Sequence, residues 1–160
     1  MGLDFTIYWE EKDNPINWDD ENFTYKEFEK HKLCYGRKSW ELVYFLNLPV
    51  DADAFDTDPE IKKENWAALM KAMEKIGPKF EQIWEAFEKE PYYEEHGGVP
   101  RDIQDLIVEY EYWHDHTFET EPMLGYEFSI GYMIDFYEAN AEVTKYLNDD
   151  KYVVRASISY

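Results

Sequence analysis

Both ends of the chain alternate. Leu3, Phe5, Ile7 and Trp9 stand between Asp4, Thr6, Tyr8 and Glu10, and Val154, Ala156, Ile158 and Tyr160 stand between Val153, Arg155, Ser157 and Ser159. A two-residue period belongs to a strand with one buried face. The two ends are therefore expected to pair in one small sheet. A third alternation runs through Leu124, Tyr126, Phe128, Ile130 and Tyr132, with Gly125, Glu127, Ser129 and Gly131 between. Tyr126, Ile130, Met133 and Tyr137 also satisfy a helical period. Two glycines inside a helix, each costing about 1 kcal/mol relative to alanine, favour a strand over 124–132.

Helices fill the interval. Thr24 and Glu27 form a capping box with Phe23 and Phe28 at the staple positions, so a short helix starts at Tyr25. The run RKSWELVYFLN (37–47), apolar from Leu42 to Leu46, reads as a helix buried on most sides. NLPVDADAFDTDPE (47–60) reads as an acidic loop, with Asp58 as N-cap and Pro59 as first residue of the next helix. Trp66, Leu69, Met70 and Met73 form one apolar stripe, and Phe80, Ile83, Trp84 and Phe87 the next. The segment 90–100 reads as a loop, Ile103, Leu106, Ile107, Tyr110 and Trp113 mark a further helix, and a last helix is expected from about 134 to 147. The resulting fold is α+β: one domain over 1–160, with a small antiparallel or mixed sheet of about three strands covered by four to six helices.

Charge limits what such a fold can do. There are 36 acidic and 16 basic residues, a net charge of −20. Residues 1–60 and 101–160 carry −9 each, and residues 61–100 carry −2. An aromatic content of 19% separates the chain from disordered acidic sequences. This charge repels nucleic acid and anionic membranes and attracts basic protein surfaces. Solubility or adaptation to salt would also use added acids, but a small domain ordinarily carries a net charge of only about 2–8. The single Cys34 excludes an internal disulfide, suits a reducing cytosol and reads as a packed apolar residue. No secretory signal and no membrane-spanning run is visible. M-G-L-D-F-T fits a myristoylation pattern, but the same residues read better as the first strand.

The stretch YEYWHDHTFETE (110–121) carries the most chemically suggestive residues. His114 and His116, beside Asp115, Glu119 and Glu121, resemble a metal site. Residues two apart on a helix point about 200° apart, however, and zinc signatures use His at i and i+4 or paired Cys. The alternative is a pair of surface histidines near a helix C-terminus, where the macrodipole favours them. There is no G-x-S-x-G, P-loop or dinucleotide fingerprint, so the reading favours a non-enzymatic protein without a cofactor.

The acids are better organised. Asp102, Asp105 and Glu109 are spaced i, i+3 and i+7, opposite the apolar stripe of their helix, and Glu111 and Asp115 form a second row. Carboxylates at i, i+4 lie about 6 Å apart, close to the phosphate repeat along a nucleic-acid strand. Between residues 101 and 150 the only bases are Arg101 and Lys145. Asp19, Asp20 and Glu21 beside Trp18 form a further patch, and Asp51, Asp53, Asp56 and Asp58 another. Exposed aromatics among the acids would anchor a protein interface. Arg37 and Lys38 form the one compact basic element and are expected to pair with nearby acids.

The start M-G-L-D ahead of an alternating strand, with Y-G-R-K-S-W (35–40) opening a helix, resembles small uncharacterised phage and prophage proteins. Those begin M-G-L-D and carry a Y-x-R-K motif before a helix. The likeness covers about the first 48 residues. It departs from the group at W-E-L-V-Y-F, where a histidine and a Trp-Phe pair are common. The resemblance implies no activity, only a setting: a protein made from a phage genome in a bacterial cytoplasm. There, a −20 chain looks like the acidic phage inhibitors of restriction and CRISPR enzymes. The leading expectation is thus an inhibitor that binds the basic surface of a host nucleic-acid-binding defence protein by nucleic-acid mimicry, without touching nucleic acid or membrane. The partner-binding residues would be Trp18, Asp19, Asp20, Glu21, Asp102, Asp105, Glu109, Glu111, Asp115, Glu119 and Glu121. One alternative is a small metal- or ligand-binding enzyme using His114, His116 and nearby carboxylates. Another is an acidic interaction module that mimics nothing.

Overall fold

The computed structural model describes residues 3–49 and 58–159. Strand β1 (Asp4–Glu11) is central, flanked antiparallel by β2 (Lys32–Arg37) and by β3 (Tyr152–Ser159). The two chain ends are thus zipped together from Asp4↔Ser159 to Glu11↔Tyr152. The helices are α1 (Tyr25–Glu29), α2 (Trp40–Phe45), α3 (Lys63–Met73), α4 (Phe80–Glu95), α5 (Arg101–Thr117), α6 (Tyr126–Glu138) and α7 (Asn140–Leu147). This is the expected α+β class.

Leu3, just ahead of β1, and Phe5 and Ile7 within it join one apolar cluster with Leu42, Trp66, Ile83, Tyr110, Met133, Phe136 and others from α2 to α7. Phe136 of α6 packs against Phe5 of the sheet (ring centroids 5.5 Å) and Trp66 of α3 (5.9 Å). The opposite face of β1 is covered as well. Tyr8 is buried beneath Trp18 and Phe28, and its hydroxyl donates to Asp58 Oδ2 at 2.7 Å. Glu10, also buried, accepts from Arg155 Nε at 2.6 Å and from the Ile16 N–H. Cys34 is buried, and burial pushes its thiol pKa well up, as suits a packed apolar residue.

Several expectations need correction. The segment 124–132 is not a strand; it opens α6. Gly125, at φ 90°, lies outside the helix as its N-cap, so only Gly131 falls within. A Cβ on Gly131 would come within 2.8 Å of the Trp84 ring of α4, so the glycine permits close packing of the two helices. The third strand is instead β2, whose core-facing residues are Cys34 and Gly36. The expected helix over 37–47 shrinks to α2, because Arg37 closes β2. The expected helix over 134–147 is two helices that meet at Ala139.

Asp58 and Pro59 cap no helix. The Pro59 carbonyl accepts from the Ala156 N–H, the Ile61 N–H donates to the Val154 carbonyl, and Glu60 bridges to Arg155, so this segment guards the open edge of β3. Helix α3 begins only at Lys63. Helix α4 runs through Pro91 to Glu95, and stops where Gly97 and Gly98 adopt φ near +110° and the Gly98 N–H returns to the Tyr93 carbonyl. Of the expected acidic loop, Asp51, Asp53 and Asp56 lie outside the described residues. Among the described residues no helix is long and apolar enough to cross a membrane.

Candidate acidic interaction face

Helix α5 is amphipathic. Ile107, Tyr110 and His114 are buried, while Asp102, Asp105, Glu109 and Asp115 lie on the exposed side. The first row is partly neutralised, since Lys79 Nζ lies 2.8 Å from Glu109 Oε1. The second row is not. Glu111 and Asp115 face carboxylates contributed by α4 and α6, and repulsion among them adds to burial in raising Glu111 and Glu90. Burial raises the Glu111 carboxyl first, followed by repulsion from Glu90, Asp115 and Glu127. Burial likewise raises Glu90, followed by Glu94 and Glu127. The Tyr126 hydroxyl donates to Asp115 Oδ1 at 2.7 Å. That bond, with burial and the charges of Asp115, Glu111 and Glu121, pushes the phenol up to about 12. No lysine or arginine contributes to any of these three shifts.

Five carboxylates, Glu90, Glu94, Glu111, Asp115 and Glu127, thereby stand together and repel one another across three helices. Asp115 also holds the Tyr126 hydroxyl and lies 3.6 Å from His114 Nδ1, and Glu121, in the segment between α5 and α6, acts on Tyr126 alone. Among the described residues, only Glu27, Glu29, Asp4, Glu109, Glu10 and Glu60 lie within 4.0 Å of a lysine or arginine. Arg37 pairs with Asp4, as expected for that basic element. The helical spacing in the sequence found Glu111 and Asp115 but missed Glu90, Glu94 and Glu127, and Glu121, also expected at the interface, is exposed between α5 and α6. Glu90 and Glu94 carry their own i, i+4 signal, hidden by reading 90–100 as a loop.

The remaining expected residues fall as follows. Glu119 is exposed beyond the end of α5. Asp19, Asp20 and Glu21 are exposed in the turn before α1, where Asp20 Oδ1 accepts from the Asn22 N–H. Trp18 is 51% exposed, with its other side against Tyr8, Phe23 and Phe28. Among the described residues, no hydrogen bond or ion pair joins this patch to the α5 acids.

The two histidines diverge. His116 is exposed, stacked on Tyr112 at 3.8 Å, with its Nδ1 2.7 Å from the Tyr112 carbonyl. His114, expected at the surface, is fully buried, because helical periodicity places it one turn beyond Tyr110 on the core face. Its Nε2 lies 3.3 Å from Oε1 of Glu41, a carboxylate that is itself buried. The same Oε1 accepts from the Ser129 hydroxyl at 3.2 Å, and Ser129 Oγ lies 2.8 Å from the Tyr110 hydroxyl. A serine has one hydroxyl proton, so Tyr110 must donate to Ser129, and Ser129 to Glu41. Among the described residues, no group of three or more His, Cys, Asp or Glu side chains is arranged to hold a metal ion.

Comparison with known proteins finds no matching family model, no similar curated protein and no similar solved structure.

Proposed function

We propose that this protein is a non-enzymatic acidic inhibitor that occupies the nucleic-acid-binding cleft of a basic partner. The natural setting of this proposal is a phage-encoded protein acting in a host bacterial cytoplasm on a restriction- or CRISPR-type enzyme. One observation carries the reading: five carboxylates on α4, α5 and α6 repel one another without any lysine or arginine to offset them. Such an arrangement costs stability in the isolated protein and is relieved when lysines and arginines of a partner dock on it. Rows of carboxylates about 6 Å apart on a helix offer those cations a spacing like that of phosphates. Tyr112, 64% exposed on α5 among the acids, supplies an aromatic contact of the kind found at interface hot spots.

The test is affinity purification at low salt followed by competition. The expected result is a nucleic-acid-binding protein whose complex is displaced by short duplexes and weakens steeply with salt. Recovery of a partner that duplexes do not displace would replace mimicry by a charge-driven interaction of another kind. Recovery of no basic protein would remove the reading.

A further inference from the structure

Trp84 of α4 lies at the centre of a groove between α4 and α6. Two adjoining hollows, of about 420 and 390 Å³, share Trp84 and Gly131 as their common floor. The missing side chain of Gly131 lets the indole lie directly on α6. Ile134 extends the floor on one side, and Phe128, Tyr132 and Tyr35 extend it on the other. Phe128 is 56% exposed, an uncommon position for phenylalanine. The rim is acidic. Glu81, Glu85 and Glu88 stand along the α4 side and Asp135 on the α6 side, with no lysine or arginine among the lining residues.

We propose that this groove docks a basic amphipathic helix of a partner protein. The inference rests on the reading of the protein as a binder of basic protein surfaces, and names where one such element seats. Glu81, Glu85 and Glu88 follow the i, i+4, i+7 spacing of a single helix face and span about 10 Å, two turns of helix. An incoming helix with apolar residues on one face and arginine or lysine on its flanks matches both features at once. Its apolar face covers Trp84, Phe128 and Ile134, and its cations reach the three glutamates and Asp135. Aromatic faces also attract cations directly. On this wall the Tyr35 ring already has the Lys32 ammonium 5.5 Å from its centroid. Nucleic acid and anionic lipid are repelled by the rim, and a second copy of this chain brings a further −20 charge. Apolar burial with flanking charge is the usual helix-in-groove mode of recognition.

The probe is a synthetic peptide of about 14 residues, roughly four helical turns, built from leucine, alanine and arginine with an apolar face. A scrambled peptide of the same composition is the control. Binding is followed by NMR on the whole protein, reading the Trp84 indole resonance identified by its loss in Trp84→Phe. The amphipathic peptide is expected to shift that resonance and to bind about tenfold tighter than the scrambled one. Phe128→Ser, and separately Glu85→Lys with Glu88→Lys, are expected to weaken it about tenfold. Glu64→Lys with Asp150→Lys changes the net charge equally at exposed positions away from the groove, and should leave affinity within about twofold of the groove's normal value. Equal binding of both peptides, or equal losses in the groove and control charge variants, would reduce the effect to diffuse attraction and overturn the proposal. Groove binding with no nucleic-acid competition in the purified complex would leave the groove and remove the mimicry. Competition without groove binding would do the reverse.

Discussion

Glu41 and His114, 73 residues apart, meet in the core with Glu41 Oε1 3.3 Å from His114 Nε2. Neither side chain reaches solvent, and no lysine or arginine lies within 4.0 Å of this carboxylate. Its support comes from His114 on α5 and from the hydroxyl relay of Tyr110 and Ser129, so a single oxygen ties α2, α5 and α6 together. Removing one partner of a buried hydrogen bond leaves the other unsatisfied, at a cost of about 1–3 kcal/mol. We predict a loss in that range for Ser129→Ala, and a larger one for Glu41→Ala, which takes a partner from both His114 and Ser129. Urea denaturation measures both. The double variant should lose less than the sum, since both changes act on one oxygen. Strict additivity would mean that Glu41 and Ser129 are not coupled.

A second prediction concerns the strand pair. Phe5 of β1 faces Gly36 of β2, and a Cβ on Gly36 would run into the Phe5 ring. Phe5 is buried and cannot swing away into solvent. Gly36→Ala therefore overpacks the sheet and is expected to cost about 1–3 kcal/mol, despite the better strand propensity of the new residue. Thermal denaturation checks it; a variant as stable as the parent would mean that the ring has room to move.

That same pairing explains why β2 is invisible in the sequence while β1 and β3 are not. A strand is legible when its buried positions carry large apolar side chains, as Leu3, Phe5 and Ile7 do. The buried positions of β2 are Cys34 and Gly36, where the apolar bulk is supplied by Phe5 from across the ladder. Helix α6 misleads in the opposite sense. Gly125 and Gly131 alternate with aromatic residues, but one lies outside the helix and the other is the seat of Trp84. The acidic rows of α5 were legible because helical spacing alone places them. Their convergence with Glu90, Glu94 and Glu127 was not, because it depends on how α4 and α6 pack on α5. Glu41 did leave a trace: it is the one charge inside W-E-L-V-Y-F.

The acidic face also sets a pH dependence. Glu90 and Glu111 are held above the ordinary glutamate value by burial and by neighbouring carboxylates. Between the ordinary value, about 4.3, and the raised folded value, the native state binds more protons than the unfolded chain. Stability from these groups is therefore fully present below the ordinary value and is lost as pH rises through the folded one. We predict that Tm rises as pH is lowered from 7 toward that window, opposed by Glu29, whose carboxyl the Tyr25 hydroxyl holds below the ordinary value. Glu90→Gln with Glu111→Gln should flatten this rise. A Tm profile of the same slope in parent and variant would show that these two groups do not set it.

The final prediction separates a binding face from a merely solvated one. Neutralising Glu90 and Glu111 relieves repulsion from Asp115, Glu94 and Glu127, so the double glutamine variant is expected to be slightly more stable at pH 7. The gain should be within about 0.5 kcal/mol per site, the usual range for surface substitutions. It should also shrink in 1 M salt, where the screening length falls to about 3 Å. A face kept only for solubility would lose nothing by this change. A face built to receive cations gives up two contacts, and the complex with its basic partner should weaken, chiefly through slower association at low salt. Stopped-flow association rates and thermal denaturation on the same variant read both sides of the exchange. Higher stability with unchanged association would remove Glu90 and Glu111 from the interface and leave the repulsion without a functional account.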